Sequence, residues 1–323
     1  MKIKNNIGRF LLTIFILTFF VYLFSYFAPI DQSKAFYGNT ASRISTKNNE
    51  FLKKEFSLKN ENIIKGYVKW SLNFLKFDMG YSLKYSTDVK TILFKALKNS
   101  FLLNFIAFLI LIILTPIMTY LSFSNKLKFI GNLLNLISRL SFCIPEFWLI
   151  IFLTYIFSFK FRVFSSSFDI FATDYISYIK SLAIPIIVIV ISHIGYYCGY
   201  LQKEVEDELK KNYVLYLRAR GFSSPYIFFK HILKKSIPSY LSFFSNSFIH
   251  LISGSYTIEY MFSYPGMGKI LIESAKTGDY NLLLSCVTIT GLIVIIGFFI
   301  CEFISNNADP LRRDGDNIGF HEN

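Results

Sequence analysis

Three ionisable side chains, Glu146, His193 and His250, stand inside long apolar stretches of the sequence. A carboxylate and two imidazoles could meet a cation, relay protons or hold a hydrolytic metal, and each of those uses needs them brought together. They lie on three different apolar stretches, so no local spacing pairs them. A carboxylate at mid-membrane depth costs at least ~3 kcal/mol on insertion scales and is tolerated chiefly where it faces a polar interior. Glu146 therefore has two readings: a pore-lining acid that meets a substrate ammonium or cation, or a structural partner for His193, His250 or a backbone N–H. The structural reading is the favoured one. Pro145 beside it frees backbone groups that a water-lined path could satisfy. The two histidines read first as packing donors. Gly266-Met267-Gly268-Lys269 resembles a phosphate loop only superficially, because position 263 is Ser and Ile270 follows the lysine, whereas the motif needs a glycine five residues before the G-K pair and Ser or Thr after it. It reads instead as a structured turn set by Pro265 and Gly266. Cys143, Cys198, Cys286 and Cys301 show no C-x-x-C spacing, which argues against a zinc site or a disulfide framework.

The elements that must carry these residues are set by hydropathy. Mean hydropathy is +0.43, with 53% hydrophobic and 17% charged residues, too apolar and charge-poor for an ordinary soluble domain. Stretches free of Asp, Glu, Lys and Arg run over 10–28, 100–125, 181–202, 236–258 and 280–301, and a sixth, 140–159, is interrupted only by Glu146. About 20 apolar residues span a bilayer core as a helix, so the fold class is an all-α integral membrane protein with about six transmembrane helices. The spans are placed at 10–28, 100–123, 134–159, 180–202, 236–260 and 280–303, within a transmembrane domain of roughly 90–310. The connections are a short N-terminus (1–9), an outer loop with amphipathic helices (29–99), an inner loop (203–235), a second outer loop (261–279) and a tail (304–323). Ala28-Pro29 offers no signal-cleavage site after the first run, which reads as an uncleaved anchor. Lys and Arg crowd 1–9, 126–128, 203–235 and 312–313, while the other short loops hold only Lys160, Arg162, Lys269 and Lys276. The positive-inside bias then puts both termini in the cytoplasm. The net charge of +13 is divided among loops and forms no single nucleic-acid-binding face.

Two connections have helical patterns of their own. In the first outer loop Ile64, Tyr67, Val68, Leu72 and Leu75 share a face, as do Val89, Ile92, Leu93, Ala96 and Leu97, the second set preceded by the capping-type residues Ser86-Thr87-Asp88 and running into the second span. Both are expected at the membrane surface. Within 203–235, helix formers lead to Gly221, suited to the positive φ of a helix C-cap, and Ser224-Pro225 supplies an N-cap and first-turn proline for a second helix. Tyr226, Phe228, Phe229, Ile232 and Leu233 make that second helix apolar around much of its circumference, so it should pack on spans or on a partner.

Tyr213 to Gly221 (Y-V-L-Y-L-R-A-R-G) followed by H-I-L-K-K-S-I-P resembles the EAA loop of importer permeases of the oligopeptide/dipeptide/nickel class. The resemblance continues through Ile258-Glu259, F-S-Y-P-G-M-G-K (262–269), Asp279-Tyr280 and D-P-L-R-R (309–313), and upstream through I-P-E-F-W (144–148) and F-D-M-G-Y-S (77–82). It departs at Ala28-Pro29-Ile30-Asp31, where the family usually has P-G-D-P, and at Leu217, where a small residue is common. By resemblance, the chain is a permease subunit in a bacterial cytoplasmic membrane. Tyr213, Arg218, Ala219, Arg220, Gly221, Phe222 and Ser223 form its coupling helix to a separate ATPase. The implied partners are a homologous second permease, two cytoplasmic ATPases, an extracytoplasmic solute-binding protein and membrane lipid. ATP is used by the partner subunits, and this chain binds no cofactor and catalyses no covalent chemistry. Peptide is the first expectation for cargo, with nickel or another small solute as the alternative. A secondary transporter or channel would share the hydropathy but usually shows inverted repeats. A membrane-embedded enzyme would need clustered His, Asp or Glu at one depth.

Overall fold

The computed structural model describes residues 2–27, 62–123, 128–169, 174–237 and 254–308, together with 239, 240, 243 and 247. Its elements are α1 (Lys2–Phe27), α2 (Ile63–Leu75), β1 (Tyr81–Ser82), β2 (Thr87–Asp88), α3 (Val89–Phe123), α4 (Lys128–Cys143), α5 (Glu146–Thr154) continued by a π-helical stretch Tyr155–Lys160, α6 (Tyr175–Leu209), α7 (Asn212–Ala219), α8 (Ser224–Tyr226) continued by a second π-helical stretch Ile227–Ile232, α9 (Tyr256–Met261), α10 (Met267–Thr277) and α11 (Tyr280–Ala308). Among the described residues, α3, α6 and the 280–297 part of α11 are long and apolar enough to cross a membrane, and Leu12–Phe27 of α1 is a shorter apolar helix. At 1.5 Å per residue the 35 residues of α3 and of α6 reach roughly 50 Å, well beyond a ~30 Å hydrocarbon core. Each is therefore longer than one crossing needs, and α3 runs from the Val89–Leu97 pattern into its apolar stretch without a break. About half of the expected fifth span (236–260), including 248–253, the stretch 28–61 and the D-P-L-R-R motif lie outside the described residues.

The chain divides into two compact units, Met1–Phe101 with Ser263–Ile296, and Leu102–Phe262 with Gly297–Asn323. In the first, α2 packs on α1 through aromatic side chains: Tyr67 meets Phe15, Phe19 and Tyr22 edge to face, and its hydroxyl shares a 2.9 Å hydrogen bond with Thr18. The short hairpin pairs Tyr81 with Asp88 and Ser82 with Thr87. Capping of α3 by Ser86-Thr87-Asp88 is not what forms: Thr87 and Asp88 are strand, and the Val89 N–H bonds the Gly80 carbonyl at 3.1 Å. The turn expected at 262–269 forms over 262–266, and helix replaces it from Met267. Gly266 is the N-cap of the eleven-residue helix α10, and the chain enters it tied to the first turns of α3. Tyr264 donates to the Asn99 carbonyl, Asn99 to the Pro265 carbonyl, and the Met267 N–H to Ser100 Oγ, at 2.8–2.9 Å.

The second unit carries a break where one continuous third span was expected. α4 ends at Cys143, Pro145 stands extended (φ −63°, ψ 139°), and α5 begins at Glu146. Proline lacks the N–H that would continue the ladder and clashes with the preceding turn. Glu146 in turn occupies the first turn of α5, where exposed N–H groups and the helix dipole favour a carboxylate. α4 and α5 both pack along α6, and α9 against α5 and α6. α6 is started by Asp174, whose carboxylate accepts from the Ser177 N–H at 3.0 Å.

Candidate functional site

The residues singled out for coupling occupy the segment that leaves α6. The last turns of α6 remain helical through the acidic run, with Val205 buried, and the chain reverses at Lys210-Lys211 into α7. Tyr213 anchors this corner. Its hydroxyl donates to Glu208 Oε2 at 2.8 Å, Lys211 pairs with the same carboxylate, and the Lys235 ammonium lies 3.5 Å from the centre of the Tyr213 ring. Burial pushes the Tyr213 phenol up, and its bond to Glu208 adds to the effect. Burial also works to raise Glu208, but the bonds from Lys211 and Tyr213 and the charges of Lys211 and Lys235 outweigh it and hold the carboxyl below its ordinary value. Both ends of the segment are thus fastened to one another, Glu208 on α6 and Lys235 after the second π-helical stretch.

Beyond that anchor the segment turns outward. Val214 is the buried residue of α7, while Leu215 and Tyr216 are 70% and 60% exposed. Gly221 adopts φ +80°, the left-handed conformation expected of it, and the N–H groups of Gly221 and Phe222 close the helix onto Arg218 and Leu217. No atom lies within 4 Å of where a Gly221 Cβ would be, so the glycine is required by backbone conformation and not by crowding. Leu217 is half-buried, which accommodates its bulk. The Phe222 and Tyr226 rings stack (5.1 Å, 11°), and the Arg220 guanidinium lies over Tyr216 and Phe222.

The second helix divides its apolar residues between two sides. Ile227, Phe228 and Ile232 are buried, and Tyr120 on α3 touches Phe228 and Phe229; Tyr226 and Phe229 remain exposed. Its start differs from expectation. Ser223, not Ser224, is the capping residue, without a side-chain cap bond, and after three α-helical residues the helix widens into π geometry over 227–232. Of the seven residues named from the sequence, Arg218, Ala219, Arg220, Gly221, Phe222 and Ser223 form one exposed turn, whereas Tyr213 holds the turn in place. Sequence reasoning names Tyr226 for packing on spans or on a partner, but it missed Glu208 and Lys235 as partners of Tyr213, and Leu215 and Tyr216 as members of the exposed patch. Their aromatic and aliphatic character on an otherwise charged loop was the available signal.

Glu146 and His193 are not joined. Glu146 is half-buried at the start of α5. His193 on α6 uses Nδ1 on the Ile189 carbonyl one turn back, at 2.9 Å, as a packing histidine does, and Gly254 lies against its ring. Among the described residues no hydrogen bond or ion pair links Glu146 to His193, and His250 lies outside them.

Several apolar helices of membrane-crossing character, together with a helix–turn–helix that carries an exposed aromatic patch, define a largely helical multi-pass membrane component. The family model described as binding-protein-dependent transport system inner membrane component matches residues 112–314, and the chain belongs to that family. Curated relatives include the metal-staphylopine import system permease protein CntB of Staphylococcus aureus, 25% identical over 79% of this chain and 80% of its own length. Others are the oligopeptide transport system permease protein AppB of Bacillus subtilis, 25% identical over 76% and 78%, and the nickel import system permease protein NikB of Staphylococcus aureus, 25% identical over 84% and 79%.

Proposed function

We propose that this chain forms half of the translocation pathway of an ATP-driven importer in a bacterial cytoplasmic membrane, and that the 203–235 segment couples it to a separate ATPase. The observation that carries this reading is the exposed turn at Gly221: Leu215, Tyr216, Phe222 and Tyr226 are presented outward while Tyr213 and the buried Ile227, Phe228 and Ile232 fix the turn to the spans. An apolar patch of this kind on a rigid base is suited to a partner's cleft. The ATPases close on ATP, push this turn, and switch the spans between outward- and inward-facing states. A second, homologous permease completes the pathway, an extracytoplasmic binding protein delivers cargo, and the chain itself performs no hydrolysis. Both termini are cytoplasmic. Cargo is a peptide; a metal chelate or nickel is the second reading, favoured by two of the relatives named above.

The test replaces Phe222 with Cys in a cysteine-free chain and reconstitutes it with its ATPases, binding protein and second permease. Cross-linking from position 222 to an ATPase subunit, weakened when ATP closes the pair, is expected. Absence of that cross-link in a complex that transports would remove the coupling assignment. Ligands co-purifying with the binding protein decide between peptide and metal.

A further inference from the structure

α2 presents three different flanks. Tyr67, Trp70 and Ile63 pack on α1, with Tyr22 and Leu284 at the centre of the cluster. Ile64, Val68, Leu72 and Leu75, spaced by one and two turns, form a second flank that is 49–74% exposed. Lys65 and Lys69, followed by Lys76 at the C-cap, form a third. At 3.6 residues per turn the order around the axis is protein, apolar stripe, lysines, and protein again. The helix contains no acidic residue; Glu61 and Asp78 lie beyond its ends.

This order matches a helix lying in a bilayer surface: one side against a spanning helix, one in the acyl boundary, one at the headgroups. The α1 contacts set the depth. Tyr22 lies five residues before Phe27, roughly 8 Å at the helical rise, within the ~5–10 Å that interfacial helices enter. Phe20, Phe24 and Phe27 of α1 are exposed as well, so α2 joins an element that already offers apolar surface to lipid.

We propose that α2 is a lipid-selecting helix: its apolar stripe enters the leaflet at the Phe27 end of α1, and Lys65 and Lys76 hold acidic phospholipid headgroups there. This rests on the chain spanning a membrane and is independent of ATPase coupling and of cargo. A lysine near an anionic surface contributes roughly fivefold to association, so the two together select acidic over zwitterionic lipid severalfold.

The chain has two tryptophans, and Trp148→Phe leaves Trp70 on α2 as the only reporter. The full chain is placed in nanodiscs of phosphatidylcholine and phosphatidylglycerol in which one lipid or the other carries brominated acyl chains, at the same mole fraction. Brominated phosphatidylglycerol is expected to quench Trp70 more strongly, with an apparent preference of about fivefold or more. In Lys65→Gln/Lys76→Gln the two lipids should become equal. Persisting quenching by brominated phosphatidylcholine in that variant reports that the helix is still seated. Equal quenching in the parent, or a preference that survives loss of the lysines, overturns headgroup selection. Absence of quenching by either lipid overturns the proposal altogether and gives the stripe to a protein partner.

Discussion

Gly221 is the residue on which the proposed coupling depends most, and its environment isolates one physical cause. With open space around its Cβ position, Gly221→Val is strained only through φ +80°, at roughly 1–3 kcal/mol. The turn relaxes away from that conformation while the spans stay inserted. Membrane levels should be unchanged, and uptake and cargo-stimulated ATP hydrolysis of the reconstituted complex should both fall. Gly221→Asn, which tolerates left-handed φ, should retain more activity than the Val variant; equal activity in Val, Asn and parent would mean the turn only connects. The control is Gly199→Ala, where the added methyl meets nothing within 4 Å, and not a change at Gly131, where a Cβ would come 2.7 Å from the Leu121 carbonyl oxygen. Tyr213 makes two separable contacts. Tyr213→Phe keeps the ring beneath Lys235 and loses the bond to Glu208, for about 0.5–1.5 kcal/mol of local stability. Tyr213→Ala loses both and should raise the protease sensitivity of 210–222 well above that of the Phe variant.

At the scale of elements, pH sensitivity of the inner segment traces to Glu208. Its carboxyl is held below the ordinary value of 4.5 in the folded segment, so its contribution is complete above that value and is lost as pH falls through the lower folded value. Protection of the α7 amides, taken relative to their intrinsic exchange rate, should fall on acidification in the parent and lose that dependence in Glu208→Gln; an unchanged profile in the variant would assign the effect elsewhere. The helix–turn–helix was legible because Gly221 and the first-turn Pro225 are local signals with local causes, and α2 because its apolar residues repeat at helical spacing. The break at Pro145 was half-legible. A charge-free run reports composition and says nothing of ladder continuity, so 134–159 read as one span although Pro145 stood inside it. The π-helical stretches use the same residue types as an α-helix and leave no periodic mark short enough to see. The ties from Ser82 and Lys84 to Asp279 were invisible for another reason. Ser82 Oγ donates to Asp279 Oδ2 at 2.6 Å and the Lys84 N–H to the same oxygen at 3.2 Å, while the Lys84 and Tyr85 side chains both reach Glu273. No period connects residues so far apart, although F-D-M-G-Y-S and Asp279-Tyr280 had each been marked separately as family signatures.

For the whole molecule, the charge distribution predicts which surfaces face which compartment. In a chain freed of its native cysteines, Cys at Ser223 should react with a membrane-impermeant thiol reagent only after cells are opened, and Cys at the exposed Lys276 in intact cells. Labelling of position 223 from outside would invert the topology and detach the coupling proposal. The purified subunit alone should show neither saturable ATP binding nor hydrolysis, since its G-M-G-K stretch lacks the residues of a phosphate loop; micromolar binding would contradict this. The tie between Ser82 and Asp279 also has a consequence in time. The partners are 197 residues apart in the chain, and Ser82, fully buried in the finished protein, must wait for Asp279 to be synthesised. At about 5–20 residues per second that delay is roughly 10–40 s, during which the nascent hairpin has α1, α2 and α3 beside it but neither α10 nor α11. Its assembly is therefore a late step of biogenesis, and a ribosome stalled before residue 279 would leave a chain already threaded through the bilayer with this corner open to proteases.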